Sequence, residues 1–132
     1  MYSSELLETK KIVKIKFYMK VGIVEHIDSM HSLPGHQKCG VPHGHTYKVE
    51  VTMDGPVTNG MVIDFDILKR ETRAILKTFD HVNLNTILQY PSCENMCAEI
   101  HKNLKERIGS NGEHKLSIRI WEGNGKWAEI TE

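Results

Sequence analysis

The strict alternation in "HTYKVEVTMDG", residues 45–55, constrains the fold more than any other stretch. Tyr47, Val49 and Val51 share one side of an extended chain, while Lys48, Glu50 and Thr52 take the other. A period of two with this polarity predicts a strand with one buried face and one wet face, ending at the Asp54-Gly55-Pro56 turn. Such a strand needs neighbours. "KIVKIKFYMKVGIVEHID", from Lys11, is rich in β-branched and aromatic residues and predicts a long strand, bulged at Gly22. At the other end of the chain, "KLSIRIWE" and "KWAEITE" flank Gly123-Asn124-Gly125, which predicts a hairpin.

Between the two strand pairs the period changes. In "DFDILKRETRAILKTF", Phe65, Leu68, Ile75, Leu76 and Phe79 recur at helical spacing, with Asp64 placed as N-cap. "DHVNLNTILQYP" reads as a connection. Pro91-Ser92 then opens a second helix with Met96, Ile100 and Leu104 on one stripe and Gly109 as its stop. The order β-β-α-α-β-β predicts an α+β fold, with an antiparallel sheet and both helices on one face. No linker or repeat divides the chain, so residues 11–132 are expected to form one domain after a short N-terminal extension, 1–10.

Four strands leave two open edges, and charge does little to keep copies apart. Lys plus Arg and Asp plus Glu both number 17, so edge pairing between subunits is expected. The same balance argues against nucleic acid or an anionic membrane surface as partner. No apolar run reaches the roughly 18–20 residues of a membrane-spanning helix, and "MYSSELLETKK" lacks the continuous apolar core of a signal peptide. Three cysteines without framework spacing read as free thiols in a reducing compartment, so a cytoplasmic location is expected.

The candidate chemistry concentrates in "HSLPGHQKCGVPHGHTYKVEV". His43 and His45 are two residues apart at a strand start, so their imidazoles project from one face. Two histidines need a third protein ligand to make a zinc site with an open position, and His26, His31 and His36 are the nearby candidates. Nitrogen ligands favour zinc over magnesium or calcium. Cys39 sits in a Gly-flanked loop beside Lys38, where positive charge favours thiolate. It could act as base or nucleophile, or close a His₃Cys site as fourth ligand.

Further along, Asp80 directly precedes His81 in "FDHVNLN". An acid can hold an imidazole tautomer, but adjacent side chains meet only across a turn; the plainer reading is an Asx turn built by Asn83 and Asn85. Cys93 and Cys97, one helical turn apart, read as small core residues. Glu94 suits the first turn of its helix. Glu122, at a strand end beside Trp121, could recognise a planar ring rich in N–H groups.

Five segments, "KCGVPHGHTYKVEVTM", "TNGMVIDFDILK", "FDHVNLN", "YPSCENM" and "WAEI", occur in the order seen in the 6-pyruvoyltetrahydropterin and 6-carboxytetrahydropterin synthase family, which residues 11–132 resemble. The resemblance implies the tunnelling fold (T-fold), whose trimeric β-barrels stack in pairs into a homohexamer with active sites between subunits. It implies zinc held by His31, His43 and His45, with Cys39 as catalytic base and Asp80 with His81 as acid–base pair. Glu122 would anchor the pterin ring of 7,8-dihydroneopterin triphosphate, with Ser92 and Cys93 near that ring. Only three residues separate Cys39 from His43. This C-x-x-x-H-G-H spacing resembles the carboxytetrahydropterin synthases of deazaguanine (queuosine or archaeosine) synthesis; the pyruvoyl enzymes tend to have a longer gap. The alternatives are pyruvoyltetrahydropterin synthesis from the same substrate and a non-catalytic zinc-binding assembly module. The sequence departs from the family pattern at Asp28-Ser29-Met30, at Pro42 and at the "GNGK" turn.

Overall fold

A computed structural model describes residues 16–109 and 112–132. The expected extension 1–10 and the strand residues 11–15 lie outside the described residues. The elements are β1 (Tyr18–His31), β2 (His43–Pro56), α1 (Phe65–Leu76), a short 3₁₀ turn (Leu84–Thr86), α2 (Cys93–Ile108), β3 (Lys115–Glu122) and β4 (Lys126–Ile130). The sheet runs β1-β2-β3-β4, antiparallel throughout and not closed, with β1 and β4 at its edges. The predicted order of strands and helices is therefore the observed one. Among the described residues no helix is long and apolar enough to cross a membrane.

One face of the sheet carries the core. Tyr47, Val49, Val51 and Met53 of β2 are buried with Leu116, Ile118 and Ile120 of β3, under Leu68 and Leu76 of α1 and Met96, Ile100 and Leu104 of α2. The other face is polar and laced with ion pairs, such as Lys48 to Glu50 at 3.2 Å and Arg119 to Glu129 at 3.1 Å. The helix ends follow the expected chemistry. Asp64 accepts from the Asp66 N–H at 2.8 Å, Ser92 accepts from the Asn95 N–H at 3.1 Å, and Gly109 ends α2 with φ 67°.

Two local expectations are corrected. Gly22 makes no bulge: β1 pairs residue for residue with β2 from Tyr18 opposite Pro56 to His31 opposite His43. What Gly22 provides is a close approach, because a Cβ there would stand 2.9 Å from the Val51 carbonyl oxygen. Phe65 is not core. It occupies the first position of α1, 53% exposed, and its ring lines a surface cleft with Met19, Val21 and Met61. His101 of α2 is buried, with Nε2 3.1 Å from the Leu116 carbonyl oxygen and 3.4 Å from Glu132.

Gly22→Ala sets two effects against each other. Removing a strand glycine gains roughly 0.5–1 kcal/mol, whereas forcing a methyl against backbone costs about 1–3 kcal/mol. The expected outcome is net destabilisation by about 1 kcal/mol, read as a lower urea midpoint at unchanged m-value.

Candidate active site

The β1–β2 ladder ends by setting His31 directly opposite His43, with Ser29 opposite His45. Odd-numbered residues of both strand ends face the helices, so three imidazoles converge there. Ring centroids are 4.6 Å apart for His31 and His43, 5.1 Å for His31 and His45, and 4.7 Å for His43 and His45. One ligand atom from each lies within 4.8 Å of the others.

The hydrogen bonds around the rings set their tautomers. His31 Nδ1 donates to the Pro91 carbonyl at 2.7 Å, with the Tyr47 hydroxyl 3.3 Å away, and His43 Nδ1 donates to the Val41 carbonyl at 2.7 Å. With both protons committed to carbonyls, the two Nε2 lone pairs point at one another across 3.0 Å. That arrangement is repulsive unless a cation or proton is shared between them. Tetrahedral zinc, with Zn–N bonds of about 2.0–2.1 Å, sets ligand nitrogens about 3.4 Å apart. His45 Nε2 is buried without a hydrogen bond. Burial lowers the pKa of His45, and the neighbouring histidines add to this while Glu122 opposes it. The neutral form favoured by burial is the one that binds metal. The donor set fits a divalent ion that prefers nitrogen.

Glu122 joins this group from β3. It pairs with Tyr47 across the sheet, and its Oε1 stands 3.3 Å from His45 Nε2 and 3.7 Å from Lys126 Nζ. The H-G-H motif has no carboxylate near it in sequence; the β2–β3 register brings one beside it in space. Tyr47 is a further member that spacing alone did not single out, and burial raises its pKa. A strand aromatic two residues beyond H-x-H, on the same face, was the available signal.

Of the candidate third ligands, His26 points to the opposite face and pairs with Lys48, five rungs from His31. His36 lies in the 32–42 loop, where Nδ1 accepts from the backbone of Lys38 and Cys39. Cys39 is half-buried in the same loop and outside the cluster of ligand atoms.

Asp80 and His81 form their own cluster with Asp28. His81 adopts φ 56°, which turns two consecutive side chains toward each other, so His81 Nδ1 meets Asp80 Oδ2 at 2.9 Å. Asp80 Oδ1 accepts from the Asp28 N–H at 2.9 Å. That bond holds the Asp80 carboxyl below its ordinary range, and His81 adds to the effect. The Asx turn coexists with this pair: Asn83 accepts from the Asn85 N–H at 3.1 Å, and Asn85 grips both backbone groups of Ser32. Ser92 serves as the N-cap of α2. The thiols of Cys93 and Cys97 donate to the Ile120 and Ile118 carbonyls, and burial pushes both up to about 11.

Comparison with known proteins follows the same lines. The family model described as 6-pyruvoyl tetrahydropterin synthase matches residues 20–132. A relative from Archaeoglobus fulgidus, provisionally named a 6-carboxy-5,6,7,8-tetrahydropterin synthase, is 43% identical over 113 residues, covering 85% of this chain and 95% of the relative. The dihydroneopterin monophosphate aldolase of Pyrococcus furiosus is 37% identical over 89 residues, covering 67% and 76%. The Caenorhabditis elegans 6-pyruvoyl tetrahydropterin synthase structure superposes with a TM-score of 0.75 at 25% identity, covering 87% of this chain and 96% of that one. The fold is thus that of the tunnelling-fold pterin synthases, and the chain belongs to the 6-pyruvoyl tetrahydropterin synthase family.

Proposed function

We propose that this chain is a zinc-dependent 6-carboxytetrahydropterin synthase. It would convert 7,8-dihydroneopterin triphosphate and one water to 6-carboxytetrahydropterin, acetaldehyde and triphosphate on the cytoplasmic route to deazaguanines. The observation that carries the reading is the convergence of His31, His43 and His45, with Glu122 Oε1 3.3 Å from His45 Nε2. The Archaeoglobus relative supports the carboxy branch.

Zinc on the three histidines would supply Lewis acidity to the oxygens of the substrate side chain. The chain's own groups do the rest. Glu122 would accept two hydrogen bonds from the pterin ring, fixing the span between ring and side chain. Cys39 thiolate would take a proton from the side chain. His81, its tautomer held by Asp80, would exchange a second. Cys93 and Cys97 are poor candidates for proton transfer, because burial keeps both protonated at neutral pH. Ser92 and Cys93 stand at the head of α2, where the backbone would border the ring. The exposed position of His81, with 77% of its side chain open, suits a site completed by a second subunit. The open edges β1 and β4 suit the proposed dimer of trimers.

A second reading is retro-aldol cleavage of a dihydroneopterin phosphate, favoured by the resemblance to the Pyrococcus furiosus aldolase. It needs the same ring anchor and metal, but the two-carbon fragment leaves with its phosphate attached and the ring stays at the dihydropterin level. Incubation with dihydroneopterin triphosphate, and separately with the monophosphate, followed by mass identification, separates the readings. The carboxy product is expected. Hydroxymethyldihydropterin would transfer the chain to the aldolase branch, pyruvoyltetrahydropterin to the pyruvoyl branch, and no turnover would remove the enzymatic reading.

His43→Ala is expected to drop zinc below one per chain and turnover by about 10²-fold or more. Cys39→Ala is expected to keep zinc, measured by atomic absorption, and to lose about 10²–10⁴-fold in kcat. Loss of zinc from Cys39→Ala with a lowered melting temperature would point instead to a structural His₃Cys site in an assembly module.

A further inference from the structure

The 32–42 loop that carries Cys39 is closed by an unusual acceptor. Leu33 N–H donates to the Cys39 carbonyl at 2.7 Å, making the neck of the loop, and His36 N–H donates to the Leu33 carbonyl at 3.0 Å. Inside that neck the His36 imidazole turns back on its own backbone. Its Nδ1 accepts from the Cys39 N–H at 2.8 Å and from the Lys38 N–H at 3.2 Å, while its carbonyl accepts from the Gly40 N–H at 2.9 Å.

A side-chain acceptor at i taking the N–H groups of i+2 and i+3, with the carbonyl of i taking that of i+4, is the arrangement Asn and Asp make in Asx turns. Here an imidazole makes it. Nδ1 is attached to Cγ, as Oδ1 is in Asn, so it sits the same number of bonds from the backbone. Only the neutral tautomer with its proton on Nε2 leaves Nδ1 free to accept. The packing leaves little slack, since a Cβ on Gly40 would stand 2.6 Å from the His36 carbonyl oxygen.

We propose that His36 is a positioning residue for Cys39: by accepting from the Cys39 N–H, it fixes where the thiol stands relative to the histidine cluster. The proposal rests on the reading of Cys39 as the proton-transfer thiol. It gives His36 a task that the metal site leaves free. The site needs three ligands, and His36 is turned away into its own loop. A bystander histidine on an exposed loop would be replaceable by Ala without consequence.

The test compares wild type, His36→Ala and His36→Asn as purified zinc proteins. Asn places an acceptor where Nδ1 was and carries no imidazole. Two readouts are taken: kcat and KM with dihydroneopterin triphosphate, and the rate of Cys39 alkylation by iodoacetamide, followed by peptide mass. Burial keeps Cys93 and Cys97 protonated, so Cys39 is the thiol that reacts. For His36→Ala we expect kcat lower by about 10-fold or more at little-changed KM, and alkylation altered by about 3-fold or more. Such losses are in keeping with displacement of a reacting group by a fraction of an ångström. Zinc content should stay at the wild-type value, and His36→Asn should recover both rates. An Ala variant that matches wild type in both readouts, or an Asn variant as impaired as Ala, overturns the proposal. Full turnover by Cys39→Ala would sink the base assignment instead, and the alkylation series would still report whether His36 holds the loop.

Discussion

The β1–β2 ladder is the constraint on which the rest depends. Its register runs unbroken from Tyr18 opposite Pro56 to His31 opposite His43, and the core sets that register. Ile27 faces Tyr47, Ile23 faces Val51 and Val21 faces Met53, all on the helix-covered side. A slip of one residue would turn every side chain to the wrong face. A slip of two would keep the faces but carry His31 about 7 Å from His43. The apolar pairs in the middle of the ladder therefore hold the imidazoles together at its end. The geometry of the imidazole cluster is thereby coupled to core packing well away from it.

A second consequence of the ladder is the route taken by residues 80–85. This segment runs beside the outer edge of β1, where Asp28 exchanges hydrogen bonds with Asp80 and His81, Met30 N–H donates to the Val82 carbonyl, and Ser32 is gripped by Asn85. Edge groups that would otherwise invite another strand are used to fix Asp80 and His81 in place. The backbone departs from ordinary geometry at His81, whose positive φ is uncommon for a residue with a side chain. Strain of this kind is tolerated where surrounding bonds over-determine the conformation, and here they do.

Much of this was legible in the sequence, for identifiable reasons. The alternation of Tyr47, Val49 and Val51, the caps Asp64, Ser92 and Gly109, and the Gly-Asn-Gly hairpin are local signals, and each came out as read. The placement of His43 and His45 on one face follows from strand geometry alone. The third member of the cluster did not follow from spacing, because His26, His31 and His36 are all within reach of a flexible loop. Only the register chooses His31, and register is a property of two strands. Glu122 is invisible as a neighbour of His45 for the same reason, since it arrives by cross-strand pairing with Tyr47. The error at Phe65 has another origin. Helical periodicity predicts a face but not how far the neighbouring sheet extends beneath it, and at the first turn of α1 the ring meets a cleft instead of the core.

The two clusters differ in how they meet solvent, and the proposed chemistry accounts for the contrast. His31 is 1% exposed, and burial lowers the pKa of His45, favouring the neutral form that a metal would need. The side chain of His81 is 77% exposed, and the Cys39 loop also lies at the surface. Proton carriers left in water are inefficient, because bulk solvent competes for every proton and weakens each charge they stabilise. A reaction that needs both clusters therefore requires something to cover the outer edge of the 80–85 segment beside β1 and exclude water there. A second subunit docking on that edge would bury the acid–base pair without moving any metal ligand, because the ligands are already fixed by the ladder within one chain. Metal binding would then belong to the protomer and catalysis to the assembly.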